Sequence, residues 1–95
     1  MSAPVGRVER IRARLQQLAP SELDIEDESH KHAGHAGARD GRGHFRVRVV
    51  AVAFSGESLL ARHRRVYAAL GDLMQTDIHA LALDARAPEE LEENR

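Results

Sequence analysis

The chain has 95 residues, the size of one small domain, and a domain this short buries only about 60% of its unfolded surface. A deep substrate pocket is therefore not expected. The chain contains no cysteine, which excludes disulfides and means that any iron–sulfur cluster would need thiolates from another molecule. The net charge of −1 gives no overall attraction to nucleic acid, although six arginines and a single acid, Glu57, occur from Arg42 to Arg65.

The sequence supports neither membrane insertion nor secretion. No stretch approaches the ~18 consecutive apolar residues that a membrane span requires, and the N-terminus lacks the apolar segment of a signal peptide. We therefore expect a cytoplasmic location and no membrane partner.

Two amphipathic segments come first in the chain. Residues 5–18 are predicted to form a helix that ends before Pro20, because its apolar residues fall on one helical face. These residues recur at spacings of three, four and three: Val8, Ile11, Leu15 and Leu18. Residues 22–28 alternate between apolar and acidic side chains, which indicates a short strand.

Residues 29–43, SHKHAGHAGARDGRG, form the most unusual segment of the chain. This segment contains four glycines and three histidines, and it has no bulky apolar side chain that could pack in a core. We expect an exposed, mobile loop. A loop of this length in a small domain is uncommon and is often functional.

The second half of the chain is predicted to contain two strands with a helix between them. Residues 44–54 form the first strand, and residues 78–85 form the second, which is apolar on both faces and is expected to be central. The helix runs from the N-cap Ser58 to the C-cap Gly71. Its apolar stripe is predicted to be Leu59, Val66 and Leu70, bordered by Leu60 and Tyr67. Residues 88–95 are predicted to be a frayed helix or tail.

The element order α-β-β-α-β predicts an α/β (α+β) fold in one domain over residues 1–95, with its core at about 5–87. The first two strands can form a hairpin, and the helix between the last two is a crossover that leaves them parallel if they are neighbours. The expected architecture is a three-stranded mixed sheet with helices packed against it. The free chain is expected to be a monomer or a weak dimer.

Histidine is the residue type with the most chemical potential here, because imidazole binds iron, zinc and copper. The chain contains six: His30, His32, His35, His44, His63 and His79. The three loop histidines indicate either a solvated polar loop or a ligand arm that closes on a metal held elsewhere. His79 begins the third strand, on the face of Leu81 and Leu83. It is either a partly buried histidine bonded to backbone or a rim residue that pairs with the loop.

Three arginines surround His63, which lies in the apolar stripe of the second helix and is expected to be structural. Arg62, Arg64 and Arg65 could instead form a nucleic-acid contact surface with it. The role of His44, at the mouth of the second strand, stays open.

No arrangement of residues indicates an enzyme. Ser29 lies near several histidines, but its context is not that of a nucleophile elbow. The run HAGHAG is not G-x-G-x-x-G and does not precede a helix. We therefore predict a non-enzymatic protein.

Four blocks in order resemble the BolA family: DESHKHAGHAG, HFRVRVVAVAF, RHRRVYAAL and IHALAL. The resemblance runs from about Val8 to Pro88. It implies an αββαβ fold similar to class II KH domains, and a heterodimer with a monothiol glutaredoxin that carries a CGFS motif. In such heterodimers a [2Fe–2S] cluster is held by the glutaredoxin cysteine, a glutathione thiol and histidines of the BolA protein, so no cluster is expected in the isolated chain.

The resemblance also assigns candidate cluster ligands. The family's C-terminal histidine lies in the motif that reads IHAL here, which is His79. The ligand in the loop after the first strand matches His32, in the block DESHKH, with His35 as the substitute and His30 nearby. Neutral imidazoles in place of thiolates remove negative charge from a cluster and raise its potential.

Two alternatives remain open. A KH-like DNA-binding transcriptional regulator would use Arg62, Arg64 and Arg65. However, the GXXG motif of KH domains is absent, since the run from Gly71 to Met74 lacks the second glycine. A partner-free chelator would bind zinc or copper through the three loop histidines.

Overall fold

The computed structural model describes residues 6–29 and 41–93, with side chains to residue 91. This part of the chain contains four α-helices, two short 3-10 turns and three strands. The helices are α1 (Arg7–Leu15), α2 (Leu59–Leu70), α3 (Leu73–Thr76) and α4 (Pro88–Glu93). The strands are β1 (Glu22–Asp27), β2 (Gly43–Val50) and β3 (Ile78–Arg86), and the 3-10 turns are Gln16–Leu18 and Val52–Phe54.

The three strands form one mixed sheet, as predicted, and their order in it is β1-β2-β3. Strands β1 and β2 are antiparallel, whereas β2 and β3 are parallel. The prediction that β3 is central was wrong, because β2 pairs on both sides and β3 lies at the edge. Leu81 and Leu83 pack against the core, while Ala80 and Ala82 alternate with them and are exposed.

Helix α1 packs its predicted apolar face onto the sheet. Ile11 and Leu15 are fully buried, and Val8 and Leu18 are partly buried against the same core. The helix continues into a 3-10 turn and ends where Ala19 adopts a left-handed conformation, with φ of 49°. The apolar periodicity therefore identified both the helix and its buried face.

Strand β2 is shorter than predicted at its C-terminal end. The strand stops at Val50, and the apolar run continues as a 3-10 turn over Val52–Phe54 instead of as strand. This turn places Phe54 fully in the core and leaves Val52 exposed. Apolar residues continue past the strand end because the turn, too, has a side that faces the core.

Helix α2 has the predicted ends but a different buried face. Ser58 Oγ accepts a hydrogen bond from the Ala61 N–H at 3.1 Å, and Gly71, with φ of 55°, caps the other end. The predicted stripe is wrong at its start, because Leu59 is 68% exposed while Arg62 is only 6% exposed. The buried residues of the helix are Arg62, Val66, Ala69 and Leu70. The short helix α3 was not predicted.

Helix α4 replaces most of the predicted frayed tail. The Arg62 guanidinium donates two hydrogen bonds to the Glu90 carboxylate, at 2.6 and 2.8 Å, and the Ala87 N–H donates a third at 2.8 Å. The Arg62 hydrogen bonds, then the one from Ala87, lower the pKa of Glu90 to about 2. The first turn of α4 is therefore attached to α2.

None of the helices in residues 6–29 and 41–93 combines the length and the apolar character needed to cross a bilayer.

Candidate functional site

The two ends of the histidine-rich segment meet beside the hairpin of β1 and β2. The His44 N–H donates to Ser29 Oγ at 3.0 Å, and the Glu28 N–H donates to the His44 carbonyl at 2.8 Å. Ser29 is held in turn by its own N–H, which donates to Asp27 Oδ1 at 2.9 Å. These bonds extend the hairpin by two residues beyond β1 and bring the start of the segment next to its end.

The start of β3 lies at the same place, as the predicted topology requires. Gly43 pairs with Ile78 in the sheet register, and its N–H donates to the Asp77 carbonyl at 2.9 Å. A Cβ on Gly43 would lie 2.6 Å from Ser29 Oγ and 2.7 Å from the Phe45 ring, so a side chain here would have to displace both groups. The base of the loop and the start of the edge strand are therefore closely packed together.

A buried carboxylate connects this place to helix α1. Asp77 is 7% exposed, and its carboxylate accepts hydrogen bonds from Thr76 and Arg10 and forms an ion pair with Arg7. Burial alone would raise the pKa of Asp77, but the hydrogen bonds from Thr76 and Arg10 and the nearby arginine charges hold it below its usual range. Asp77 therefore remains ionised at neutral pH and holds α1 against the start of β3.

His79 is exposed at this end of the sheet, and a register shift in the β2–β3 pairing determines its position. Gly43 pairs with Ile78, but the next residue of β2, His44, pairs with Ala80. His79 is the additional residue between these two pairs. Ile78 is fully buried and His79 is exposed, so the simple alternation that placed His79 on the face of Leu81 does not extend to the start of the strand.

Among residues 6–29 and 41–91, His44 is the histidine that lies next to His79. The centroids of the two imidazole rings are 5.3 Å apart, and the ring planes are inclined by 47°. Arg42 also contacts His79, with Nη2 3.4 Å from His79 Nδ1. A guanidinium has no acceptor, so Nδ1 accepts in this contact and a neutral imidazole carries its proton on Nε2. Arg42 is itself positioned by a hydrogen bond to the Met74 carbonyl at 3.2 Å.

The loop histidines His30, His32 and His35 lie outside the described residues. The pairing of His79 with His32 or His35 therefore stays a prediction. Among residues 6–29 and 41–93, no group of three or more histidine, cysteine, aspartate or glutamate side chains could hold a metal ion.

The three arginines proposed for nucleic acid have different surroundings. Arg62 is buried and donates to Glu90, to the Glu57 carbonyl and to the Ala85 carbonyl. Arg65 is more exposed, but it bonds Glu57 at 2.6 Å. Arg64 is exposed. Arg62 thus has a structural position, whereas Arg64 and Arg65 are exposed and Arg65 is paired with Glu57.

Sequence reasoning missed Arg42 and Asp77 and left His44 without a role. A charged residue just before an apolar strand gives no indication of burial, so Asp77 carried no usable signal. Arg42 precedes β2 and His44 is its second residue, and the position of His44 beside His79 depends on the register shift. The alternation of strand residues cannot reveal such a shift.

The comparison with protein families matches the description "BolA-like protein" over residues 15–90, so the chain belongs to the BolA family. The three-stranded mixed sheet with its helices is the BolA fold, which resembles KH domains.

Relatives with this domain occur in plants and animals. SufE-like protein 1 of Arabidopsis thaliana is 46% identical over 88 residues, which is 86% of this chain but only 24% of that protein. Protein BOLA1, chloroplastic, of the same plant is 44% identical over 89 residues, covering 90% of this chain and 56% of that protein. The solution structure of mouse BolA1 superposes with a TM-score of 0.76 at 44% identity, covering 99% of this chain and 76% of that chain.

A bacterial relative has a different kind of name. The Escherichia coli DNA-binding transcriptional regulator BolA is 41% identical over 75 residues, covering 79% of this chain and 66% of that protein.

Proposed function

We propose that the chain is an adaptor that binds a monothiol glutaredoxin and contributes histidine ligands to a shared [2Fe–2S] cluster, in iron–sulfur trafficking or iron regulation. The observation that carries this proposal is the position of His79. Its side chain is exposed at the start of an edge strand, beside the start of β2, so a second protein can reach it.

The residues present suit a cluster whose ligands come from this chain and a partner, and not a cluster held by this chain alone. The chain has no cysteine, so thiolates must come from the partner and from glutathione. His79 would be one ligand from this chain and His32, or His35, the other. A bound cluster would supply iron centres whose potential rises when imidazole replaces thiolate. The backbone hydrogen bonds at Gly43 and His44 fix the chain that follows the segment containing His32 and His35.

The test mixes the full chain with a CGFS glutaredoxin, glutathione, iron and sulfide. We expect a visible absorption and circular dichroism spectrum that differs from that of the glutaredoxin alone. His79→Ala should abolish the difference, because it removes an iron ligand from the rigid strand. His63→Ala, on helix α2, is the matched control and should retain the spectrum. An unchanged spectrum with His79→Ala would disprove the ligand assignment.

A second candidate function is DNA binding, which the name of the E. coli relative favours. Exposed Arg64 supports it, while Arg62 is committed to Glu90. If Arg64 contacts a phosphate, Arg64→Ala should weaken duplex binding and reduce the slope of log K against log salt by about 1. Arg12→Ala, exposed on α1, is the control. Binding that is equally salt-dependent in both variants would argue against this candidate.

A further inference from the structure

We propose that His44 and His79 together form a two-imidazole site for a divalent transition-metal ion such as Zn²⁺, which the chain binds without a partner and without its loop histidines. This inference goes beyond the shared cluster, because it concerns an ion held by this chain alone. It assigns a role to His44, whose function the sequence left open.

The separation of the two rings carries the proposal. Zinc binds an imidazole nitrogen at about 2.0–2.1 Å, so the centroid of a bound ring lies about 3.2 Å from the ion. Two rings at a tetrahedral angle then have centroids about 5.2 Å apart. The centroids of His44 and His79 are 5.3 Å apart. The observed separation of the two rings therefore matches the separation that two imidazoles bound to a common ion would have.

Both imidazoles are attached to a backbone that is already fixed. His44 is held by its N–H bond to Ser29 and by its carbonyl bond from Glu28. His79 follows the fully buried Ile78 and lies where the register of the β2–β3 pairing shifts. Ligands on a fixed backbone lose little conformational freedom on binding, which favours this pair as a site.

The donor set indicates which ions would bind. Two neutral imidazoles suit zinc, copper and nickel, whereas calcium and magnesium prefer oxygen ligands. Two protein ligands leave the remaining positions of the ion open to water or to a ligand from another molecule.

Arg42 opposes the ion and so tunes the site. Its Nη2 lies 3.4 Å from His79 Nδ1 and occupies that lone pair, and its positive charge repels a cation. If the ion binds Nδ1, it must displace Arg42. If it binds Nε2, the proton moves to Nδ1 and the Arg42 contact becomes one between two donors. Arg42→Gln removes the charge and supplies an acceptor, so it should strengthen metal binding.

The experiment is a Zn²⁺ titration by calorimetry on a full-length background chain in which His30, His32 and His35 are all replaced by asparagine. We expect one ion per chain. Adding His44→Asn or His79→Asn should lower the affinity by about tenfold or more, while Arg42→Gln should raise it several-fold. His63→Asn is the control and should have no effect. Urea unfolding of each variant shows whether the fold is retained.

Imidazole ¹⁵N spectra of the background chain provide a second measurement that does not depend on these variants. Zinc should shift the resonances of His44 and His79 together. A background chain that binds no zinc, or one whose affinity His44→Asn leaves unchanged, would overturn the proposal. Either result could coexist with a His79-dependent spectrum in the glutaredoxin complex, so failure of this site and failure of the proposed function are distinguishable.

Discussion

Arg62→Ala is expected to lower the free energy of unfolding by about 2–3 kcal/mol, an unusually large effect for an arginine. The side chain is 6% exposed, and its guanidinium bonds the Ala85 carbonyl, the Glu57 carbonyl and both oxygens of Glu90. Truncation leaves buried acceptors without their donor and detaches helix α4 from α2. Urea denaturation measures the loss, and hydrogen exchange of the α4 amides should show it locally.

Arg64→Ala is the matched control for Arg62→Ala, because it removes an exposed arginine from the same helix. We expect it to change stability by less than about 0.5 kcal/mol. Equal losses in the two variants would contradict a structural role for Arg62.

The Arg62–Glu90 pair also predicts a pH dependence. Because the folded-state pKa of Glu90 is lowered to about 2 from 4.5, its stabilising effect is complete above about pH 4.5 and is lost as the pH falls toward 2. Glu90→Gln should therefore be less stable than the parent chain at pH 7, and the gap should narrow between pH 5 and pH 3. A gap that does not change over this range would indicate that the charge on Glu90 is not involved.

Asp77→Ala is expected to cost about 1–2 kcal/mol and to loosen the candidate site. The carboxylate is buried and accepts hydrogen bonds from Arg10 and Thr76. Because Arg10 and Arg7 are more than a third exposed, they can regain water, which limits the loss. Urea denaturation measures the effect, and faster exchange of the Gly43 amide, which donates to the Asp77 carbonyl, would show that the site has loosened.

Asp72→Ala is the control for Asp77→Ala. Like Asp77, Asp72 accepts a hydrogen bond from an arginine of α1, Arg14, at 2.9 Å, but Asp72 is exposed. Exposed pairs of this kind contribute about 0.2–1 kcal/mol. If the two variants lose the same stability, or if Gly43 exchange is unchanged in Asp77→Ala, Asp77 does not organise the site.

Features coded by neighbouring residues could be predicted from the sequence. Three such features were confirmed: the apolar periodicity of α1, the N-cap at Ser58 and the glycine at the end of α2. Each depends only on residues a few positions away in the sequence. The order of elements was enough to predict a mixed sheet with β2 and β3 parallel. The same pairing predicted that β2 and β3 start at one end of the sheet, as the pairing of Gly43 with Ile78 confirms.

Features that depend on distant residues were missed. A run of Leu and Ala in β3 suits a central strand or an edge strand, because alanine is tolerated on a buried or an exposed face. Arg62 looked like a surface residue because the partner that makes its burial possible, Glu90, lies 28 residues further along the chain. Only the packing of α4 on α2 reveals that pair.

The candidate site follows the same division. From the sequence came the absence of cysteine, which is a property of composition, and the choice of His79 as candidate ligand, which the resemblance of the motif IHAL to the BolA family implied. Only the tertiary structure placed His44 and Arg42 beside His79. Their contact arises from a shift of one residue in the pairing of two strands, and such a shift is decided by how the strands pack, which the alternation of either strand cannot record.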